Sequence, residues 1–186
     1  RISNFNQGTA RSVGEEIENG KVSAKGGLEG IVLDLRGNPG GLLKQSIMVA
    51  DLMLTHGHIL TTRGRHPDSL HHYEAGGRDL ADGLPVVVLI DGKSASASEI
   101  VAAALQDRDR AVVVGTSSFG KGSVQTVIRL PNDGEITLTW SRFMAPSGYA
   151  LHGLGVRPAV CTSKLKSGVQ PVIDSAFAGR LKAQMT

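Results

Sequence analysis

Aromatic residues are scarce, only 4% of the 186 residues, with a single Trp. A platform on which nucleic-acid bases could stack is therefore missing. The core must rest on Val, Ile, Leu and Ala. Charge of one sign is also lacking. The formal net charge is +3, and Lys and Arg are scattered rather than clustered, which argues against nucleic acid as a partner. No run of about 18 apolar residues exists, so no segment reads as a membrane-spanning helix. The single cysteine, Cys161, excludes an internal disulfide but does not fix a compartment. No internal repeat or low-complexity tract is present. His56, His58, His66, His71, His72 and His152 lack a metal-ligand spacing with carboxylates or Cys, so no metal is expected. An initiator Met and a signal peptide are absent at Arg1-Ile2-Ser3, and the chain reads as a piece of a longer precursor.

Glycine, by contrast, is abundant at 24 residues, which suits tight turns and close backbone approaches. Hydrophobic residues reach 40%, enough for one domain of ordinary size. Three short apolar runs read as buried strands: Gly30–Leu35, Leu84–Ile90 and Ala111–Gly115. Helical spacing marks Gly8–Gly20, Leu42–Leu54 and the Ala-rich Ser98–Gln106. Ile59–Arg63 reads as a strand, and His66–Gly83 as an exposed loop holding a short one. Ser123–Leu130 and Glu135–Arg142 alternate and are joined by the turn Pro131-Asn132-Asp133-Gly134. The tail from Ser175 reads as a short helix. Apolar strands alternating with helices predict an α/β layer structure with a mostly parallel buried sheet, made mixed by the later paired strands. Loops after such strands are where sites are built.

Three such loops carry chemistry. Lys93–Ile100 (KSASASEI) follows a strand and opens a helix. Ser96-x-x-Glu99 is a capping-box spacing, yet a strand-turn-helix Ser also suits a nucleophile whose next N–H faces an oxyanion. Gly115–Ser123 (GTSSFGKGS) places Lys121 between two glycines. A lysine acting as base must be neutral, and desolvation favours the neutral amine. Gly120 and Gly122 would let backbone close in, and Phe119 would help to exclude water; the plain alternative is an exposed turn lysine. Arg36–Gly41 (RGNPGG) offers paired glycines, either for a close N–H donor or simply for a turn. A Ser-His-Asp arrangement using Ser96 and Asp107 also stays open by spacing.

Gly115-x4-Gly120-Lys121 imitates a phosphate-binding loop. Two features oppose that reading. Gly122 stands where Ser or Thr should bind Mg²⁺, and the residues that follow are β-branched and alternating instead of helical.

Taken together, GIVLDLRGNPGGLL, SASASEIVAAALQDRDRAVVVG, SFGKGSVQ and HGLGVRPAV resemble the carboxyl-terminal processing, or tail-specific, proteases, in the same order. The resemblance runs from Arg1 to about Val160. It implies Ser96 as nucleophile, Lys121 as general base and Gln125 as its support. It further implies an oxyanion hole from Ala97 N–H plus Gly40 or Gly41, with Glu99, Asp107 and Ser118 in supporting roles. The implied fold is the core shared by these proteases and crotonase-like or ClpP-like proteins. The implied reaction is cofactor-free hydrolysis of peptide bonds in unstructured protein C-termini, through an acyl-enzyme, in the periplasm or another extracytoplasmic space. Residues 1–186 would then be a catalytic core, with the family's PDZ domain outside this chain and residues from about 161 forming a tail. The terminal motif departs from the family's Pro-Asp, ending Pro158-Ala159. A non-catalytic ligand-binding module on the same fold is the alternative, and homo-oligomerisation stays open.

Overall fold

Short runs of Val, Ile and Leu form the inner sheet. The runs at Val86–Ile90 and Ala111–Gly115 are buried or half-buried throughout, as strands covered on both faces are. The run expected as a buried strand at Gly30–Leu35 instead leaves Val32 63% exposed, so only one face of that strand is covered. The computed structural model describes residues 1–163. Its first sheet holds β1 (Ile31–Asp34), β4 (Val86–Ile90), β5 (Ala111–Gly115) and β8 (Val160–Cys161), in the order β1-β4-β5-β8. All three pairings are parallel. Its neighbouring strands therefore end at the same edge, and the segments after β1, β4 and β5 emerge side by side.

The helices are α1 (Thr9–Ser23), α2 (Leu43–Asp51) and α3 (Ala97–Asp107). Every residue of α3 from Ala97 to Leu105 is buried, which its small Ala side chains permit by letting neighbours approach from all sides. It packs against α2, β5 and the strand β2 (Gly57–Arg63). Gly20, expected at the end of the first helix, lies inside α1, where Leu28 folds back onto it.

The later strands depart from the single mixed sheet expected. β3 (His71–Ala75), β6 (Ser123–Arg129) and β7 (Glu135–Met144) join β2 in a separate antiparallel sheet, ordered β3-β2-β7-β6. β8 pairs with β5 instead. The tight turn after β6 allows only antiparallel pairing with β7. His71 and His72, expected in a loop, sit on the edge strand β3 and are exposed. Among the described residues no helix is long and apolar enough to cross a membrane. The helix expected from Ser175 lies outside the described residues.

Candidate active site

The turn after β4 begins as a strand-to-helix elbow. Asp91 Oδ1 accepts from the N–H groups of Lys93 and Ser94 at 2.9 and 3.1 Å, which folds the turn. Burial opposes ionisation of Asp91, yet these bonds and one from Gly37 N–H hold its carboxyl below the usual range. Ser96 follows with φ 54° and ψ −111°. Only four described non-glycine residues have positive φ, and the other three are Asp in ordinary left-handed turns. For an L-residue, the Ser96 angles are those of a turn position that normally requires glycine. Strain of this kind persists where surrounding structure imposes it.

The RGNPGG loop after β1 closes over this elbow. Arg36 bonds both oxygens of Asp34 at 2.9 Å and holds that carboxyl down to about 2. Asn38 is fully buried. Its carbonyl accepts from Ala95 N–H at 3.0 Å and from Ser98 Oγ at 3.1 Å, and its amide donates to the Ile2 carbonyl at 2.9 Å. Gly40 lies against the elbow. A Cβ there would stand 2.8 Å from Ser96 Cβ and 3.0 Å from Ala97 N, so no larger residue fits. Of the two glycines, Gly40 has its N–H committed to Asn38 Oδ1 at 2.8 Å. The N–H groups of Gly41 and Ala97 have no hydrogen-bond partner among the described residues.

The FGKG loop after β5 is brought in by one side chain. Glu99 is 1% exposed and accepts four hydrogen bonds. Its Oε1 takes Ser118 Oγ at 2.5 Å and Gly120 N–H at 2.7 Å. Its Oε2 takes Ser96 N–H at 2.7 Å and Lys121 N–H at 2.8 Å. The main chains of Ser96 and Lys121 therefore meet on one oxygen. Ser96 and Glu99 also form the capping box that their spacing predicts, so the capping role and a site role are not exclusive. Ser118 Oγ in turn accepts Val156 N–H at 2.7 Å, tying in the HGLGV segment. Gly122 presses on the same segment, where a Cβ would collide with the His152 main chain.

Other expectations divide. Lys121 is exposed, and Phe119 is 67% exposed, so the water exclusion expected around Lys121 is not made by the described residues. The loop opens onto β6, an outer strand, which leaves one side to solvent. No hydrogen bond joins the side chains of Ser96, Lys121 and Gln125 among the described residues, and Gln125 is exposed on β6. Asp107 ends α3, about 16 Å along the helix from Ser96. There it accepts from Ser147 N–H at 3.0 Å, so it cannot complete a triad with Ser96. The imitation of a phosphate-binding loop fails in the chain direction too, because a strand follows Lys121. No group of three or more metal-ligating side chains is found among the described residues.

Ser96, Lys121 and the two glycine loops thus gather at one sheet edge, and the sequence profile of peptidase family S41 matches residues 1–161. The chain belongs to peptidase family S41. The carboxy-terminal-processing protease of Bartonella bacilliformis is 53% identical over 133 residues, 72% of this S41 chain and 31% of the relative. The carboxyl-terminal-processing protease of Picosynechococcus is 40% identical over 154 residues, 83% of this chain and 37% of that protein. Among solved structures, the photosystem II D1 C-terminal processing protease matches with a TM-score of 0.78 at 30% identity, covering 94% of this chain and 45% of that one. The S41 chain spans about a third of the length of these curated relatives.

Sequence reasoning missed Asn38, Asp91, Ser94 and Ser98 as the fasteners of this candidate site. Asn38-Pro39 was legible only as turn punctuation. Asp91-x-x-Ser94 is a local side-chain-to-backbone turn pattern and was the available signal. Glu99 carries the first prediction. Glu99→Gln replaces one acceptor by an N–H₂ group that must face two donors. It should cost about 2–6 kcal/mol, because two buried donors are left unsatisfied at about 1–3 each. Urea unfolding checks this, and a change below about 0.5 kcal/mol would show that the carboxylate does not hold the loops together.

Proposed function

We propose that the S41 chain is the catalytic core of a Ser-Lys serine endopeptidase. The observation that carries the reading is the meeting of Ser96, in its strained elbow, with the Lys121 main chain on a single Glu99 oxygen. Ser96 Oγ attacks the peptide carbonyl while the neutral Lys121 amine takes the hydroxyl proton. The resulting oxyanion is received by Ala97 N–H and Gly41 N–H. Gly40 serves by its lack of a side chain, since its own N–H bonds Asn38. Collapse expels the leaving amine, which takes the proton back from Lys121, and water then hydrolyses the acyl-enzyme. Gln125 orients the Lys121 amine, and Glu99 and Ser118 position the loop. Asp107 supports the site from a distance, by holding the Ser147 turn against the end of α3.

The family resemblance and the names of the relatives support unstructured protein C-termini as substrates and an extracytoplasmic location. The greater length of the relatives supports a longer whole protein. The family resemblance alone carries the PDZ domain that selects the tail and the core arrangement shared with crotonase-like and ClpP-like proteins. The test is a fluorophosphonate probe, which reacts with activated serines. It should form one adduct, located by mass spectrometry on Ser96 and lost in Ser96→Ala. A chain that stays unlabelled would favour the non-catalytic binding module instead.

A further inference from the structure

Three arginines with no ion-pair partner among the described residues share a cleft near the candidate active site. The cleft, of about 650 Å³, is lined by Arg63, Arg65, His66, Trp140 and Arg142 among others. Arg63 on β2 is directly opposite Arg142 on β7. Like charges in that position destabilise a sheet. The guanidinium groups of Arg63, Arg65 and Arg142 make no hydrogen bond or ion pair among the described residues. Asp68 pairs with the His66 ring instead, with 3.6 Å between its Oδ2 and Nδ1. That ring stacks on the half-exposed Trp140, with centroids 5.5 Å apart. Concentrated, unneutralised guanidinium forks are suited to bind carboxylates, often bidentately.

The cleft is also in line with the site. Arg142 pairs with Ser123, two residues after Lys121. Phe143 N–H donates to the Gly122 carbonyl at 2.9 Å. Arg142 therefore stands on the order of 10 Å along the backbone from Lys121, roughly three residues of extended peptide.

We propose that this cleft is a carboxylate-binding subsite for the polypeptide substrate, and that it selects an acidic stretch a few residues from the bond being cleaved. This rests on the peptidase reading above. The carboxylates come either from Asp and Glu side chains or from the substrate's own C-terminus. A peptide is favoured over nucleic acid because the cleft is joined to the Lys121 loop through β6 and β7 and, among the described residues, is lined by one Trp and no Phe or Tyr for stacking.

Trp140 is the only tryptophan of the chain, so its emission reports occupancy without any turnover. The experiment titrates the wild-type chain and Ser96→Ala with an unstructured Asp/Glu-rich peptide having an amidated C-terminus. Its Asn/Gln counterpart is tested with an amidated and with a free C-terminus, and a single-stranded oligonucleotide forms a further arm. The acidic peptide should shift the emission. Binding should weaken about tenfold in Arg63→Gln and Arg142→Gln, and should weaken again as salt rises from about 0.05 to about 0.5 M. Circular dichroism should show both variants folded, since each removes a repulsion. A response to the neutral peptide only when its C-terminus is free would keep the subsite and assign it to the terminal carboxylate. Equal response to the amidated neutral peptide, response to the oligonucleotide alone, or no loss in either arginine variant would overturn the proposal. A shift without cleavage by the wild type would sink the peptidase reading and leave the subsite standing. Cleavage without a shift would do the reverse.

Discussion

Ser96→Gly should be inactive and yet more stable than the wild-type chain. The two effects have separate causes at one residue. Activity is lost because glycine has no hydroxyl to attack a carbonyl. Stability rises because φ 54° and ψ −111° are strained for serine and relaxed for glycine, whose mirror-image region they occupy. Strain of this kind costs about 1–3 kcal/mol, against about 0.4–1 kcal/mol lost to the greater freedom of glycine when unfolded. The net gain should be about 1 kcal/mol, a rise in Tm of about 2–4 °C for a chain of this length. The capping box does not reverse the sign, because glycine at that position costs only a few tenths of a kcal/mol. Ser96→Ala makes the contrast. It keeps the strain and loses the cap hydroxyl, so it should be inactive and about 1 kcal/mol less stable. Calorimetry and cleavage of an unfolded protein read both quantities. Turnover by the glycine variant would remove Ser96 as nucleophile, and a drop in its Tm would show that the elbow is not strained.

Lys121→Arg should be equally silent in the cleavage assay while folding normally. General bases contribute about 10²–10⁴ in rate, and a guanidinium cannot supply one because it stays protonated. The fold should not notice the change. Lys121 is tied to Glu99 through its main-chain N–H, which arginine retains, and its side chain is exposed, so the larger head group meets no obstacle. Unfolding free energy should therefore stay within about 0.5 kcal/mol of wild type. This separates a chemical role from a structural one better than Lys121→Ala, which also removes the charge. An active arginine variant would end the assignment and turn attention to His152, whose backbone already lies against Gly122. A variant that is inactive and also unstable would show that the side chain supports the loop.

What this sequence determined by itself was local. The apolar runs before Arg36, Asp91 and Thr116 specify strands, because consecutive β-branched residues suit a pleated surface, although the first run leaves Val32 exposed and is not buried on both faces. The Ser96-x-x-Glu99 spacing specifies a helix start, and glycines beside Lys121 specify a close-packed loop. Those features, in order, sufficed to place Ser96 and Lys121 after neighbouring strands and to point to the family. The tertiary structure decided what those residues meet. Parallel pairing brings three strand ends to one edge, and the buried Glu99 then shares a single oxygen between Ser96 and Lys121 across 25 positions of sequence. It assigned the Gly40 N–H to Asn38 and left that of Gly41 without a partner among the described residues. Asp107 was drawn away from Ser96, because a helix carries its two ends apart however close they are in sequence. The separate antiparallel sheet set Arg63 opposite Arg142, since strand register depends on long-range pairing that no local pattern encodes.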